Sequence, residues 1–287
     1  MRHEAAFAGP PGRAGQTGQT ARPGLEVRVI NLASAERRRA WMQDELAGLA
    51  HPWSFFEAHT TLANPRLRHD PARIRATYGR ALSPAQLALW SSHYTVIADF
   101  AETGASDYLL VFEDDVIFDT GFPLDELMVL CRDEGIHYMR LFGMYYAPGA
   151  QLGFFHDRSI IRYRTSPSGA QAYLLSKEGA RRVAETCRQV DTAWDLALDA
   201  FWKTGLPLYS VYPFPALERF SPTSVPMLDI EPLGPIDHAR FLRRRLGNRL
   251  GKALANWRLR GRDRAMRARA PDFHQVGAPE PGAGGSM

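Results

Sequence analysis

The sequence predicts an α/β fold built around one sheet. Short β-branched or aromatic runs alternate with helix-length segments whose apolar residues recur every three or four positions. One such run, Tyr108-Leu-Leu-Val-Phe112, delivers three consecutive carboxylates, Glu113, Asp114 and Asp115, to its carboxyl end, where open α/β sheets collect their ligands. The composition is that of an ordinary globular protein: 287 residues, 45% hydrophobic and 23% charged, enough for one large domain or two small ones.

Structure is expected to begin at the strand Val27-Arg-Val-Ile-Asn-Leu32. Ser34 is placed to cap a helix from Ala35 to Leu49 with Trp41, Leu46 and Leu49 on its apolar face. Trp53-Ser-Phe-Phe-Glu57 suits a second strand, and residues 60–80 read as polar and irregular. Ser83-Pro84, a cap followed by proline at the first helical position, opens a helix to Phe100 that buries Leu87, Trp90, Tyr94 and Ile97. After the acidic strand come a helix near Leu124–Cys131 and a strand Tyr138–Phe142. Past a glycine-containing loop, strands follow at Ile160–Tyr163 and Gln171–Leu175, then helices at Glu178–Gln189 and Thr192–Trp202. The organisation is a disordered tail over 1–24, a catalytic domain over 25–232, a basic helical segment over 233–270 and a second disordered tail over 271–287.

Charge is unevenly spread. The net +4 hides a segment, Arg240 to Arg269, with twelve Lys and Arg against the single Asp263, about +11, which leaves the rest of the chain mildly acidic. Its 2 cysteines, Cys131 and Cys187, have no metal-type spacing, which indicates neither a zinc site nor a disulfide framework and fits a reducing compartment. No stretch is apolar enough to span a bilayer, and Met1 to Gly24 lacks the apolar core of a signal peptide. The expected location is cytoplasmic, peripheral on the cytoplasmic face of the inner membrane.

Four segments carry candidate chemistry. Clustered carboxylates repel one another unless a cation joins them, so Glu113-Asp114-Asp115 reads either as a site for a hard divalent ion such as Mg²⁺ or Mn²⁺, or as a solvated acidic turn. On an extended backbone Glu113 and Asp115 point one way and Asp114 the other. Asn31-Leu32 with Arg37-Arg38-Arg39 reads either as a nucleotide phosphate or ribose contact or as a solvated helix face. Ser92 and His93 are helical neighbours that point in different directions, so they form no nucleophile and base pair; alone, His93 reads as a hydrogen-bonded half-buried histidine. Asp191 and Asp195 are four apart and share a face if helical, although Asp191 also suits the N-cap of the helix starting at Thr192.

Together, and in this order, these segments resemble glycosyltransferase family 25, which includes bacterial lipooligosaccharide galactosyltransferases and the collagen β-galactosyltransferases. The matching pieces are Asn31-Leu32 with Arg38-Arg39, Leu82-Ser83 leading to Ser92-His93, the Glu113-Asp114-Asp115 strand end, Gly169 to Ser176, Gly179-Ala180 and Val190-Asp191, covering roughly residues 27–230. Ala88-Leu89 stands where the family usually has Gly-Cys. The resemblance implies a GT-A fold, a Rossmann-like nucleotide-sugar-binding half merged with an acceptor half. It also implies a UDP-sugar donor, most often UDP-galactose, action through Mn²⁺ or Mg²⁺, inversion at the anomeric carbon, and a glycan or lipid-linked saccharide acceptor. On that basis Asp115 is the first metal ligand, with Glu113 sharing the metal and Glu113 and Asp114 sharing the ribose. Asn31, Arg38, Ser92 and His93 are donor-side residues, with Arg38 at the nucleotide or its phosphates. Asp191 is the expected base for the acceptor hydroxyl, Asp195 the second choice, and His93 a weaker option.

From Ala239 the chain reads as a helix with Leu242, Leu246, Leu250, Leu254 and Trp257 spaced three or four apart among arginines. Such a helix either lies on an anionic membrane surface through residues 239–270 or docks its leucines on the catalytic domain. A metal-dependent nuclease or phosphohydrolase is a competing reading of the carboxylates, and a non-catalytic sugar-binding relative is another. The leucine stripe argues against a nucleic-acid partner.

Overall fold

The computed structural model describes residues 22–219 and 234–269. Apart from residues 22–24, the expected disordered tails lie outside the described residues, as does the expected boundary near residue 232. The elements are, in chain order, β1 (Leu25–Asn31), α1 (Glu36–Glu45), β2 (Trp53–Glu57), β3 (Arg68–His69), α2 (Pro71–Tyr78), α3 (Pro84–Thr103), β4 (Tyr108–Glu113), β5 (Val116–Phe118), α4 (Leu124–Asp133) and β6 (Tyr138–Arg140). They continue with β7 (Gly149–Phe155), β8 (Arg158–Tyr163), β9 (Ala172–Ser176), α5 (Lys177–Thr186), β10 (Gln189–Val190), α6 (Trp194–Leu198), α7 (Phe201–Thr204), β11 (Tyr209–Tyr212), β12 (Ala216–Glu218) and α8 (Pro235–Arg269).

Eight strands form one mixed sheet in the order β2-β1-β4-β9-β6-β11-β8-β7. β2, β1 and β4 are parallel, as are β6 and β11; β9 and β8 run against their neighbours. β4 is buried until Glu113, so both its faces are covered, as a central strand's must be. Leu110 and Phe112 face a core shared with Met42 of α1, Leu46 just past its end, and Leu127 and Met128 of α4. Leu109 and Val111 face a second core with Trp90, Tyr94 and Ile97 of α3 and Val183 of α5. The result is a three-layer arrangement with helices on both faces of the sheet. No helix among the described residues is long and apolar enough to cross a membrane.

Local chemistry explains most element ends. Ser83 accepts from the Gln86 amide while Gln86 returns a bond to the Ser83 amide, so α3 opens on a reciprocal cap. Several elements differ from expectation. α1 starts at Glu36 with Ala35 in the cap position, and Ser34 does not cap it. Residues 60–80 contain α2, whose signals are a strong Asp70 cap, Pro71 at the first turn and Gly79 in the left-handed region at φ 85°. The glycine-containing loop contains β7, which buries Ala150, Leu152 and Phe155. The expected helix over Thr192–Trp202 is two short helices, interrupted where Asp199 turns into the core to meet Arg140.

α8 is clamped to the body by one buried pair. Asp263 accepts two bonds from Arg162, at 2.6 and 2.7 Å, and Asn256 accepts a third at 2.8 Å. Breaking such a pair leaves a buried guanidinium without its counter-ion. Asp263→Ala should therefore lower unfolding free energy by about 3–5 kcal/mol in urea denaturation, whereas Asp237→Ala, which removes a more exposed pair on the same helix, should change it by less than ~0.5 kcal/mol.

Candidate active site

The register of the sheet decides where the candidate residues meet. Ile30 lies beside Glu113 across β1 and β4, and Phe112 lies beside Ala172 across β4 and β9. The carboxyl ends of β1 and β4 therefore share an edge with the entry to the reversed strand β9. A cleft of about 480 Å³ opens there, lined by Arg38, Glu113, Asp114, Asp115, Gln171 and Asp195 among others. A larger cavity of about 750 Å³, lined by His51, Phe122, Asp125 and His156, lies elsewhere and contains none of the residues singled out from the sequence.

The three carboxylates are used differently. β4 ends at Glu113, and Asp114 and Asp115 form a turn, so the strict alternation of an extended chain does not apply and all three reach one cleft. Asp114 is buried with both oxygens engaged: Asn31 donates to one at 2.8 Å and Arg38 to the other at 2.9 Å. Arg38 also stands 3.5 Å from Asp115. The Asp115 oxygen Oδ1 is buried and has no hydrogen-bond partner among the described residues. Burial, and next the charge of Glu113, push the Asp115 carboxyl up to about 7, with Arg38 opposing them.

Glu113 is backed by His93, whose Nε2 stands 3.3 Å from Glu113 Oε1 without hydrogen-bond alignment. His93 is fully buried. Its Nδ1 pairs with the Tyr173 hydroxyl at 2.9 Å, and its ring stacks on Trp194 at 5.5 Å. His93 thus lies behind the acidic cluster and reaches the cleft only through Glu113.

Asn31 and His93 back the cleft without lining it, and Ser92 and Asp191 lie away from it. Ser92 is buried with its hydroxyl bonded to Ala88 O and to the His59 amide. With Ser91, which accepts from Ala63 and Asn64, it fastens the 58–64 loop to α3. Asp191 lines a separate cavity of about 180 Å³ with Arg73, Trp90 and Lys203, and Lys203 Nζ is 3.4 Å from it. The cause is local. α6 starts at Trp194 after an extended Ala193, so Asp191 and Asp195 share no helix face and Asp191 caps no helix.

Asp195 does line the cleft, and its Oδ2 accepts from the Gly169 amide at 3.0 Å. Gly169 is held in turn by Arg140, which donates to the carbonyls of Ser168 and Gly169 and forms a fully buried pair with Asp199 at 2.6 Å. Burial lifts the Asp199 carboxyl above its ordinary range. The guanidinium nevertheless keeps its proton, and the further donors Tyr138 and Ser166 are what an ionised carboxylate accepts.

Two cleft residues escaped the sequence reading. Glu218 arrives through the pairing of β12 with β5, which no local pattern announces; burial and Glu113 raise its carboxyl. Gln171, at the entry to β9, has a buried Oε1 without a partner among the described residues. Its place just before the buried strand was the available signal.

An α/β sheet with a carboxylate-lined cleft at its strand ends is here the framework of a glycosyltransferase. The chain belongs to glycosyltransferase family 25 (LPS biosynthesis protein), whose family model matches residues 25–202. It is 27% identical over 208 residues to the lacto-N-neotetraose biosynthesis glycosyltransferase LgtE of Neisseria gonorrhoeae, and 26% identical over 210 residues to the LgtE of Neisseria meningitidis serogroup B. Each match spans 66% of this chain and 72% of the relative. A solved glycosyltransferase involved in glycosylation of the major capsid of PBCV-1 aligns at 14% identity and a TM-score of 0.32, over 67% of this chain and 73% of that one.

Gly169 is the residue on which the Asp195 side of the cleft turns. Its φ is +81°, and a Cβ there would lie 2.5 Å from Gln171 Oε1 and 2.7 Å from the Phe142 ring. Gly169→Ala should lower stability by about 1–3 kcal/mol and reduce kcat about tenfold or more by moving the Asp195 anchor, read from chemical denaturation and from transfer assays on the same preparation.

Proposed function

We propose that the protein transfers a hexose, galactose from UDP-galactose, with inversion onto a lipooligosaccharide or other cell-surface glycan acceptor, using a GT-A arrangement of its sheet and a divalent metal. The observation that carries this reading is the strand end of β4, where Asp115 keeps a buried oxygen without a partner beside Glu113 in the cleft. The LgtE relatives, named for lacto-N-neotetraose biosynthesis, support a saccharide acceptor.

The donor set fits a hard cation. Among the described residues no three His, Cys, Asp or Glu side chains form a ready-made metal group, so Asp115 and Glu113 would hold Mn²⁺ or Mg²⁺ with the donor's diphosphate supplying further oxygens. Such an ion supplies Lewis-acid stabilisation of the leaving diphosphate. The chain's own residues do the rest. Asn31 and Arg38 fix Asp114, and Asp114 then presents the cleft with an ordered acceptor for the ribose. Arg38, which also stands near Asp115, balances the cluster and would meet the donor phosphates. His93 holds Glu113 in place from behind.

Transfer needs a base on the acceptor side. The acceptor oxygen bonds to the anomeric carbon as the bond to the diphosphate breaks. Its proton goes to a carboxylate, and the nucleoside diphosphate leaves. We assign that carboxylate to Asp195, which lines the cleft with one oxygen anchored on Gly169, in preference to Asp191, which is paired with Lys203 in another cavity.

Asp115→Ala should reduce transfer by at least about a hundredfold while leaving circular dichroism unchanged; near-normal turnover in the folded variant sinks the metal assignment. Asp195→Asn should cut kcat about 10²–10⁴-fold and Asp191→Asn only slightly; the reverse order moves the base to Asp191. Chelation by EDTA should stop UDP-galactose turnover, and added Mn²⁺ should restore it. Activity that survives chelation refutes the metal requirement.

A further inference from the structure

α8 presents two apolar faces, and the body covers one of them. On the inner face Phe241 packs on Gly79, Gly251 on Trp202, and Met266 is 5% exposed. On the outer face Leu242, Leu246, Leu250, Leu254 and Trp257 are 47–63% exposed. At 3.6 residues per turn the two sets are centred about 180° apart. The leucines expected either to meet a membrane or to dock on the body are therefore not the ones that dock. The helix also lies beyond residues 25–202, where the family match ends.

The outer face is cationic as well as apolar. Arg243, Arg260 and Arg264 on this face and Arg249 and Arg258 at its flanks are all exposed. Among the described residues the ion pairs of α8 are Asp263 with Arg162, Asp237 with Arg240 and Arg269 with Glu134, so these five arginines have none. A second copy of the chain is a poor occupant, because a two-fold contact would set this same cationic face against itself. Nucleic acid would use the arginines and leave the leucines in water.

We propose that α8 lies in the plane of an anionic lipid surface, its leucines and Trp257 in the headgroup boundary and its arginines on lipid phosphates. The opposite face, clamped by Arg162 and Asp263, holds the α/β body on that surface as a rigid unit. Delivery of the cleft to a lipid-linked acceptor rests on the transfer reading above; binding to the surface does not.

The test uses the full chain and vesicles of phosphatidylcholine with or without phosphatidylglycerol. The intact protein should cosediment at least tenfold more strongly with the anionic vesicles, and less so as salt rises. Leu246→Ser with Leu250→Ser, and separately Arg243→Gln with Arg260→Gln, should each weaken binding at least tenfold with circular dichroism and UDP-galactose hydrolysis unchanged. Deletion of the helix is no substitute, because it strips buried Arg162 of its partners. Failure of the intact protein to bind, or undiminished binding by the leucine variant, overturns the proposal. So does a leucine-dependent dimer without vesicle binding. Donor hydrolysis is read in parallel: its absence in a protein that binds vesicles defeats the transfer reading alone.

Discussion

Glu113, Asp114 and Asp115 leave one strand in succession and Glu218 is brought beside them, so like charges crowd the end of β4. The surrounding structure is arranged around that repulsion. Only Asp114 is fully answered, by Asn31 at the end of β1 and Arg38 on α1, and this ties the strand, its neighbour and a covering helix to one carboxylate. Glu113 is braced from the other face of the sheet by His93 of α3, which Tyr173 of β9 and Trp194 of α6 hold in turn. Asp115 is left with the strain: burial and Glu113 make its charged form costly, and one oxygen finds nothing to bond. Elements from both layers thus converge on the place where the electrostatic problem is left unsolved.

Two buried arginine pairs fix what surrounds it. Arg140 with Asp199 shapes the 168–169 turn that anchors Asp195, and Arg162 with Asp263 fastens α8. Such pairs add little net stability against a well-packed apolar alternative, but each tolerates very few geometries once formed. Their contribution here is placement.

Much of the strand and helix alternation of residues 25–190 was legible because those elements announced themselves locally: an apolar run for β4, a capping serine and proline for α3. α2 carried equally local signals in Asp70, Pro71 and Gly79, and they were outweighed by the polar composition around them. The cleft was legible in part. Glu113, Asp114, Asp115 and Arg38 are marked by their clustering, whereas Glu218 comes from a distant strand pairing that no short pattern encodes. Asp191 and Asp195 look equivalent in sequence because their spacing suits a helix; the helix starts two residues late, and only Asp195 turns into the cleft. Ser92 entered the candidate set through the family resemblance, but its hydroxyl is spent on the backbone of its own helix and of the loop at His59.

The reversed strand β9 carries a mechanical consequence. β4 and β6 do not pair with each other; each is bonded to β9, which joins the β1 side of the sheet to the β11 side. The two sides cannot swing about a hinge without shearing two antiparallel ladders at once. Any tightening around a bound sugar must then come from the segments that cross the rim, such as the one through Met144 and the one ending at Gly169 and Gln171. The sheet is a fixed anvil, and the rim segments are the part of the cleft that can change without disturbing it.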